Sequence, residues 1–268
     1  MADRDEASAR ARAMWAAGEW DSFSSHVVPV GVRVLDSIAL APGMDLLDVG
    51  TGSGGTVAIP AALRGARVVG SDVTPELFEH ARRRAREAGV EVEWIDADAE
   101  DLPFAAASFD RVTSTFGAMF APDHRRAAAE LVRVCRPGGV VAMVTWAPAG
   151  FAAGLFELSG SFMPPPPEGA QLPLHWGVEA HVTEMFAAAG ARAEISRETV
   201  VFEWPTTADA ARQYLDKFPP IVTLRGVLEP QGRWPGYAEA FTRLVERLDS
   251  GTGSARLSSE YLLITVRP

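Results

Sequence analysis

Cysteine is nearly absent from this 268-residue chain: Cys135 stands alone, so no intrachain disulfide can form and nothing points to an oxidising compartment. Set in Arg133-Val134-Cys135-Arg136-Pro137 at an expected helix end, it reads as a packing residue rather than a nucleophile. Lysine is equally scarce, with Lys217 the sole example. Basic charge as a whole runs short, since 25 Lys and Arg against 35 Asp and Glu leave a formal net charge of −10. A surface that holds nucleic acid through its phosphates needs the opposite field, so nucleic acid is not the expected partner. The one basic cluster, Arg82, Arg83, Arg84 and Arg86, falls on an expected helix and reads as a solvated face. Long apolar runs are missing too. The least charged stretch, Val140 to Met163, is broken by Pro148, Gly150, Gly154, Glu157 and Gly160, so a strand, loop and helix are expected there and not a membrane insertion. The opening Met-Ala-Asp-Arg-Asp-Glu has no basic region followed by an apolar one, as a signal peptide would. The expectation is a soluble, cytoplasmic chain. Clusters of His, Cys or carboxylate at metal-ligand spacing are also lacking, so no metal centre is expected.

What is present suits a globular fold: 47% hydrophobic and 22% charged residues, in a length that accommodates one large α/β domain with additions. Residues 5–18 and 27–40 carry helical spacing. Met44–Val49 is a short apolar run ending in glycines and reads as a buried strand, followed by a helix over Thr56–Leu63 and a second strand over Arg67–Ser71. Thr74-Pro75-Glu76 signals a helix start, with Thr74 as cap, and Gly89 its end. Further strands are expected at Val90–Ile95, Phe109–Ser114 and Val140–Trp146, with a helix from Pro122 to Cys135. Five strands joined through helices or long loops imply a mostly parallel sheet covered on both faces. Beyond it, Val178–Ala189 reads as helix, residues 206–250 as two or three helices, and 193–204 and 257–266 as strands.

The chemistry-bearing segment is Leu46-Leu47-Asp48-Val49-Gly50-Thr51-Gly52-Ser53-Gly54-Gly55. An apolar strand runs into glycines and then a helix, so backbone can approach a ligand closely. Alone it is ambiguous, because Gly50, Gly52 and Gly55 also satisfy the G-x-G-x-x-G dinucleotide pattern. Asp72, at the end of the second strand, fits a carboxylate that binds ribose hydroxyls in either case. Two features separate the alternatives. Asp48 puts a carboxylate near the turn, where it would repel a pyrophosphate and attract a ligand with ammonium and sulfonium centres. After the third strand, Asp98 can accept from an adenine amino group while the Ala99 amide donates to a ring nitrogen.

With LLDVGTGSGG, VVGSDVTPEL, DAEDLPF, SFDRVTSTFGAMFAPDH and ELVRVCRPGG in that order over about residues 44–146, the chain resembles the class I S-adenosylmethionine-dependent methyltransferases, close to their ubiquinone/menaquinone-type branch. The resemblance implies a Rossmann-like α/β fold with a seven-stranded, mostly parallel sheet, an antiparallel last strand and helices on both faces. It implies S-adenosyl-L-methionine as cofactor, with Gly50, Thr51, Gly52 and Ser53 at the methionine portion, Asp72 and Val73 at the ribose, Asp98 and Ala99 at the adenine, and Thr115 beside the cofactor. A helical lid is expected over residues 1–40, with residues 41–268 forming the methyltransferase domain and lid insertions at about 150–177 and 206–250. Trp15, Trp20, Phe116, Phe120 and Trp176 are the expected aromatic wall for a small-molecule substrate, apolar or aromatic, methylated on oxygen or carbon rather than nitrogen. His175 and His26 are the candidate general bases, and His124 is read as a first-turn helix residue. Self-association into a homodimer is left open. Two other readings stand beside this one: an NAD-dependent oxidoreductase, for which Tyr214 and Lys217 supply a superficial Tyr-x-x-x-Lys, and a non-catalytic cofactor-binding module.

Overall fold

A computed structural model describes residues 2–268, with side chains from Ser8 onward. Two helices come first, α1 (Ala2–Ala16) and α2 (Asp21–Ser37). The α/β portion follows in the order β1 (Asp45–Val49), α3 (Ala58–Leu63), β2 (Arg67–Asp72), α4 (Phe78–Ala88), β3 (Glu93–Asp96), β4 (Phe109–Thr115), α5 (His124–Val134) and β5 (Cys135–Ala149). Then come α6 (Gly150–Ser161), α7 (Glu179–Ala188), β6 (Arg192–Trp204), α8 (Thr207–Lys217), α9 (Pro219–Leu228), α10 (Trp234–Leu248) and β7 (Ala255–Arg267). The seven strands form one sheet in the order β3-β2-β1-β4-β5-β7-β6. The first five are parallel, and β7 runs antiparallel between β5 and β6. This is the Rossmann-like arrangement the resemblance implies.

The order reverses beside β1: β2 lies on one side of it and β4 on the other, so the carboxyl ends of these strands open a crevice where two crossovers part. Central strands buried on both faces need apolar residues throughout, and Leu46, Leu47, Val112, Val141, Met143 and Val144 are fully buried. Several boundaries differ from the sequence reading. α2 begins before residue 27 and runs through Pro29, with Gly31 packed so closely on the turn before α3 that an added Cβ would lie 1.9 Å from the Thr56 carbonyl oxygen. β5 begins at Cys135, because Pro137-Gly138-Gly139 is absorbed by a register irregularity opposite Phe109 and Arg111 instead of ending the strand. Thr74 makes no side-chain cap; its own amide instead donates to the Asp72 carboxylate at 2.9 Å, and Pro75 opens a single 3-10 turn before α4. Cys135 is buried, which pushes its thiol up to about 11 and makes it unreactive.

Candidate functional site

At the end of β1 the chain turns through Gly50, Gly52 and Gly54, with φ of +68°, +57° and +75°. An L side chain is strained in that region. Space excludes one at Gly50 as well, where a Cβ would come within 2.6 Å of the Gly117 backbone, and crowds one at Gly52, where it would lie 3.1 Å from the Trp20 indole nitrogen. Asp72, at the tip of β2, fastens the turn. Its Oδ2 accepts from the Gly52 amide at 2.8 Å while Oδ1 holds Thr74. Burial pushes its pKa up, and the two amide bonds pull it back. Gly50, Gly52, Asp72, Val73, Asp98, Ala99 and Thr115 line one cavity of about 820 Å³ counted out to its mouth, with Leu77 and Ala97 among the apolar walls. Thr115 Oγ1 is buried there without a partner among the described residues. α1 crosses the opening: the Ser8 hydroxyl donates to Asp98, and Arg12 pairs with Glu76 at 2.9 Å and Asp96 at 3.5 Å. Two carboxylates, a turn that no side chain could enter and an unpartnered hydroxyl fit a nucleoside with a cationic end.

Asp48 does not join them. It sits inside the sheet between Gly70 of β2 and Thr113 of β4. Its carboxylate accepts from the Thr51 hydroxyl at 2.7 Å and the Thr113 hydroxyl at 2.8 Å and does not line the cavity. Burial pushes it up to about 6, the two hydroxyls pull it down, and the nearby Asp72 adds to the rise. The expected direct attraction from Asp48 to a ligand is thus replaced by a structural role under the glycine turn. Thr51 and Ser53 are likewise buried behind the turn, where Ser53 accepts from Arg84 at 3.3 Å. Arg84, read as part of a solvated face, also pairs with Asp21 of α2 at 3.2 Å and so ties α4 to the helical cover.

A second cavity, of about 800 Å³ on the same measure, shares Trp15, Trp20, Phe116 and Phe120 with the first. Phe116 is one of these four shared walls. It holds φ of +57°, unusual for a non-glycine residue, and its ring stacks on Trp146 at 3.7 Å. The remaining walls come from α2, α6, β6, α8 and α9, and include Phe23, Phe151, Phe156, Phe202, Tyr214 and Phe218. Of the described lining residues, only His26 and Tyr214 carry titratable side chains. His26 packs on Trp204 at 4.6 Å, and burial lowers its pKa.

Residues 47–143 match the family described as a methyltransferase domain. An uncharacterized protein of Mycobacterium tuberculosis is 37% identical over 260 residues, which is 96% of this chain and 93% of that protein. A demethylmenaquinone methyltransferase of Thermus thermophilus is 36% identical over 126 residues, 47% of this chain and 50% of its own length. The YcgJ protein of Bacillus subtilis has the same fold, with a TM-score of 0.60, 20% identity, and coverage of 88% of this chain and 96% of that one. The chain belongs to the S-adenosylmethionine-dependent methyltransferases.

Methyl donation by S-adenosylmethionine displaces the reading as an NAD-dependent oxidoreductase. The dyad that reading needed is also not assembled: Lys217 is exposed and pairs with Glu19 at 2.8 Å, while Tyr214 faces the second cavity of the methyltransferase. His175 and Trp176 lie elsewhere from where they were expected. Both sit on a one-turn helix, Pro173–Gly177, wedged against β5, α5 and α7, and line neither cavity. Trp176 is fully buried and packs on His124 at 5.0 Å and Phe186 at 5.9 Å. His175 therefore has no access to either cavity. His124, the first residue of α5, meets His181 at 2.8 Å between ring nitrogens. Burial and the two neighbouring histidines depress His124 to about 4, so it stays neutral. No group of three His, Cys, Asp or Glu among the described residues has the geometry to hold a metal.

Sequence reasoning missed most of the second cavity. Its signal was there: Phe23 and Val27, Ala152 and Phe156, and Tyr214 and Phe218 each stand four apart on one helical face or its extension. What the spacing does not reveal is that these faces turn toward a shared space instead of closing on one another.

Proposed function

We propose that the enzyme transfers a methyl group to an oxygen or carbon of a small, uncharged, apolar or aromatic metabolite. One observation carries this: a cavity walled by aromatic rings, with no carboxylate or cationic side chain among its described lining residues, shares four of those walls with the crevice at the ends of β1, β2 and β4. A quaternising amine acceptor would leave its charge among hydrocarbon, which is costly without a paired anion. In this reading Asp72 and Val73 hold the donor's ribose, Asp98 and Ala99 its adenine, Gly50, Gly52 and Thr115 its methionine end. The bound donor supplies a methyl on a sulfonium, already a good leaving group. The protein's part is to seat the acceptor, keep water out and orient the reacting pair for in-line displacement. α1, α2, α6 and the helices of 207–228 serve as the lid that does so. His26, neutral near pH 7 because burial lowers its pKa, takes the proton of an acceptor hydroxyl. The likeness to demethylmenaquinone methyltransferase supports kinship with the ubiquinone/menaquinone-type branch for the half of the chain it spans. A net charge of −10 supports a small-molecule acceptor over nucleic acid.

Incubation with radiolabelled S-adenosylmethionine and a fractionated metabolite extract tests the reading. Label should pass to a neutral product extractable into organic solvent, and His26→Gln should slow turnover by about 10²-fold, the scale of a lost general base. Label recovered solely in amines or in macromolecules would refute it.

A further inference from the structure

The acceptor cavity contains a polar group that the chain itself leaves unused. Tyr214 of α8 is packed by the rings of Phe23 at 4.8 Å, Phe151 at 5.0 Å and Phe218 at 5.2 Å, and only 6% of it is exposed. Its hydroxyl nevertheless makes no hydrogen bond among the described residues, and burial alone displaces its pKa, upward. The chain has three tyrosines. The other two are both paired: Tyr237 with the Ser159 hydroxyl at 3.0 Å, and Tyr261 donating to Glu198 at 2.9 Å. The ring is buried, but the hydroxyl opens on the cavity, where the chain offers it no partner and phenylalanine would fill the same place without a polar group to satisfy. A hydroxyl kept in such a place, on the wall of a cavity, is explained by a partner that arrives from outside.

We infer that the Tyr214 hydroxyl is a specificity-determining hydrogen-bond donor to an oxygen of the methyl acceptor, which is therefore a hydroxylated aromatic or enolic compound and not a plain hydrocarbon. The inference rests on the reading of this cavity as the acceptor site. Tyr214 remains protonated at neutral pH and so can donate. His26 lines the same cavity, and both residues pack on Trp204, whose ring lies 5.7 Å from that of Tyr214 and 4.6 Å from that of His26. One donor and one proton acceptor thus line a space walled mostly by rings and aliphatic side chains, and the Ser159 hydroxyl on the same wall is already paired with Tyr237. An oxygen-bearing ring satisfies both, whereas a hydrocarbon leaves both stranded.

Two probes of matching shape test this, 2-naphthol and 2-methylnaphthalene, titrated into enzyme saturated with S-adenosylhomocysteine and read by quenching of the cavity tryptophans. The wild type should bind 2-naphthol about tenfold more tightly, the value of one well-made hydrogen bond. Tyr214→Phe should erase most of that preference while leaving 2-methylnaphthalene affinity unchanged. Its Tm without probe should be no lower than that of the wild type, because no internal bond is lost. A wild type indifferent to the two probes, a preference that survives in Tyr214→Phe, or a Tm several degrees lower in the variant would each overturn the inference while sparing the cavity reading. Failure of the wild type to bind either probe would instead sink the cavity reading, and the inference with it.

Discussion

Replacing Asp48 by asparagine separates the support of the glycine turn from the binding of the donor. The wild-type carboxylate, enclosed in the sheet, is pushed from 3.8 up to about 6, chiefly by burial. A folded-state pKa above the unfolded value means that folding favours the protonated form. The resulting stabilisation is present below the unfolded value and is lost as pH climbs through the folded one. At about 1.36 kcal/mol per pH unit, the displacement is worth roughly 3 kcal/mol at most. Asparagine cannot ionise and can keep the local bonds. Its oxygen accepts from Thr51, while its amide donates to Thr113 Oγ1, whose own proton turns to the Leu47 carbonyl 3.3 Å away. In urea unfolding of donor-free protein, the stability of Asp48→Asn relative to wild type should therefore rise by up to about 3 kcal/mol between roughly pH 4 and pH 6, then level off. A difference that does not vary with pH, or one that moves against the variant as pH rises, would refute the argument that Asp48 is a strained buried acid.

The histidine cluster predicts the opposite trend. His124, depressed to about 4, stabilises the fold above the ordinary value of 6.5, and that contribution is lost as pH falls through its folded value. His181→Gln removes a repelling neighbour, so its stability should decline less steeply than that of the wild type between those limits; an identical acid profile would count against the coupling. On the lid, Arg12→Ala breaks the pair with Glu76 and Asp96 and should weaken S-adenosylhomocysteine binding by roughly two- to fivefold in low salt, the scale of an exposed ion pair. The deficit should shrink in high salt, where the wild-type pair is screened; a deficit unaffected by salt would mean that Arg12 acts otherwise.

Much of the first cavity was legible because its signals are local. An apolar run that ends in glycines must be a strand meeting a tight turn, and Asp72 and Asp98 follow at the tips of β2 and β3, where the sheet order brings them together. Asp48 misled because proximity in sequence to the turn is not exposure: two residues before Gly50, the chain is still flanked by β2 and β4. Trp176 and His175 misled for a different cause. An aromatic residue on an inserted segment reports that something is covered, and sequence does not say which side of the sheet the segment crosses. Here residues 150–161 went to the cavity and 173–177 were buried against β5 and α7. Tyr214 was hidden by helical spacing that marks it, with Ala210 and Ala211, as an ordinary buried face; only the missing partner for its hydroxyl sets it apart.

The account depends above all on the crevice at the tips of β1 and β2 as the seat of the donor. Calorimetric titration of S-adenosylhomocysteine into wild type and Asp72→Ala measures this directly. Loss of a charge-assisted hydrogen-bond acceptor should weaken binding by about 1–3 kcal/mol. Equal affinity in the two proteins would place the ribose elsewhere and contradict the account.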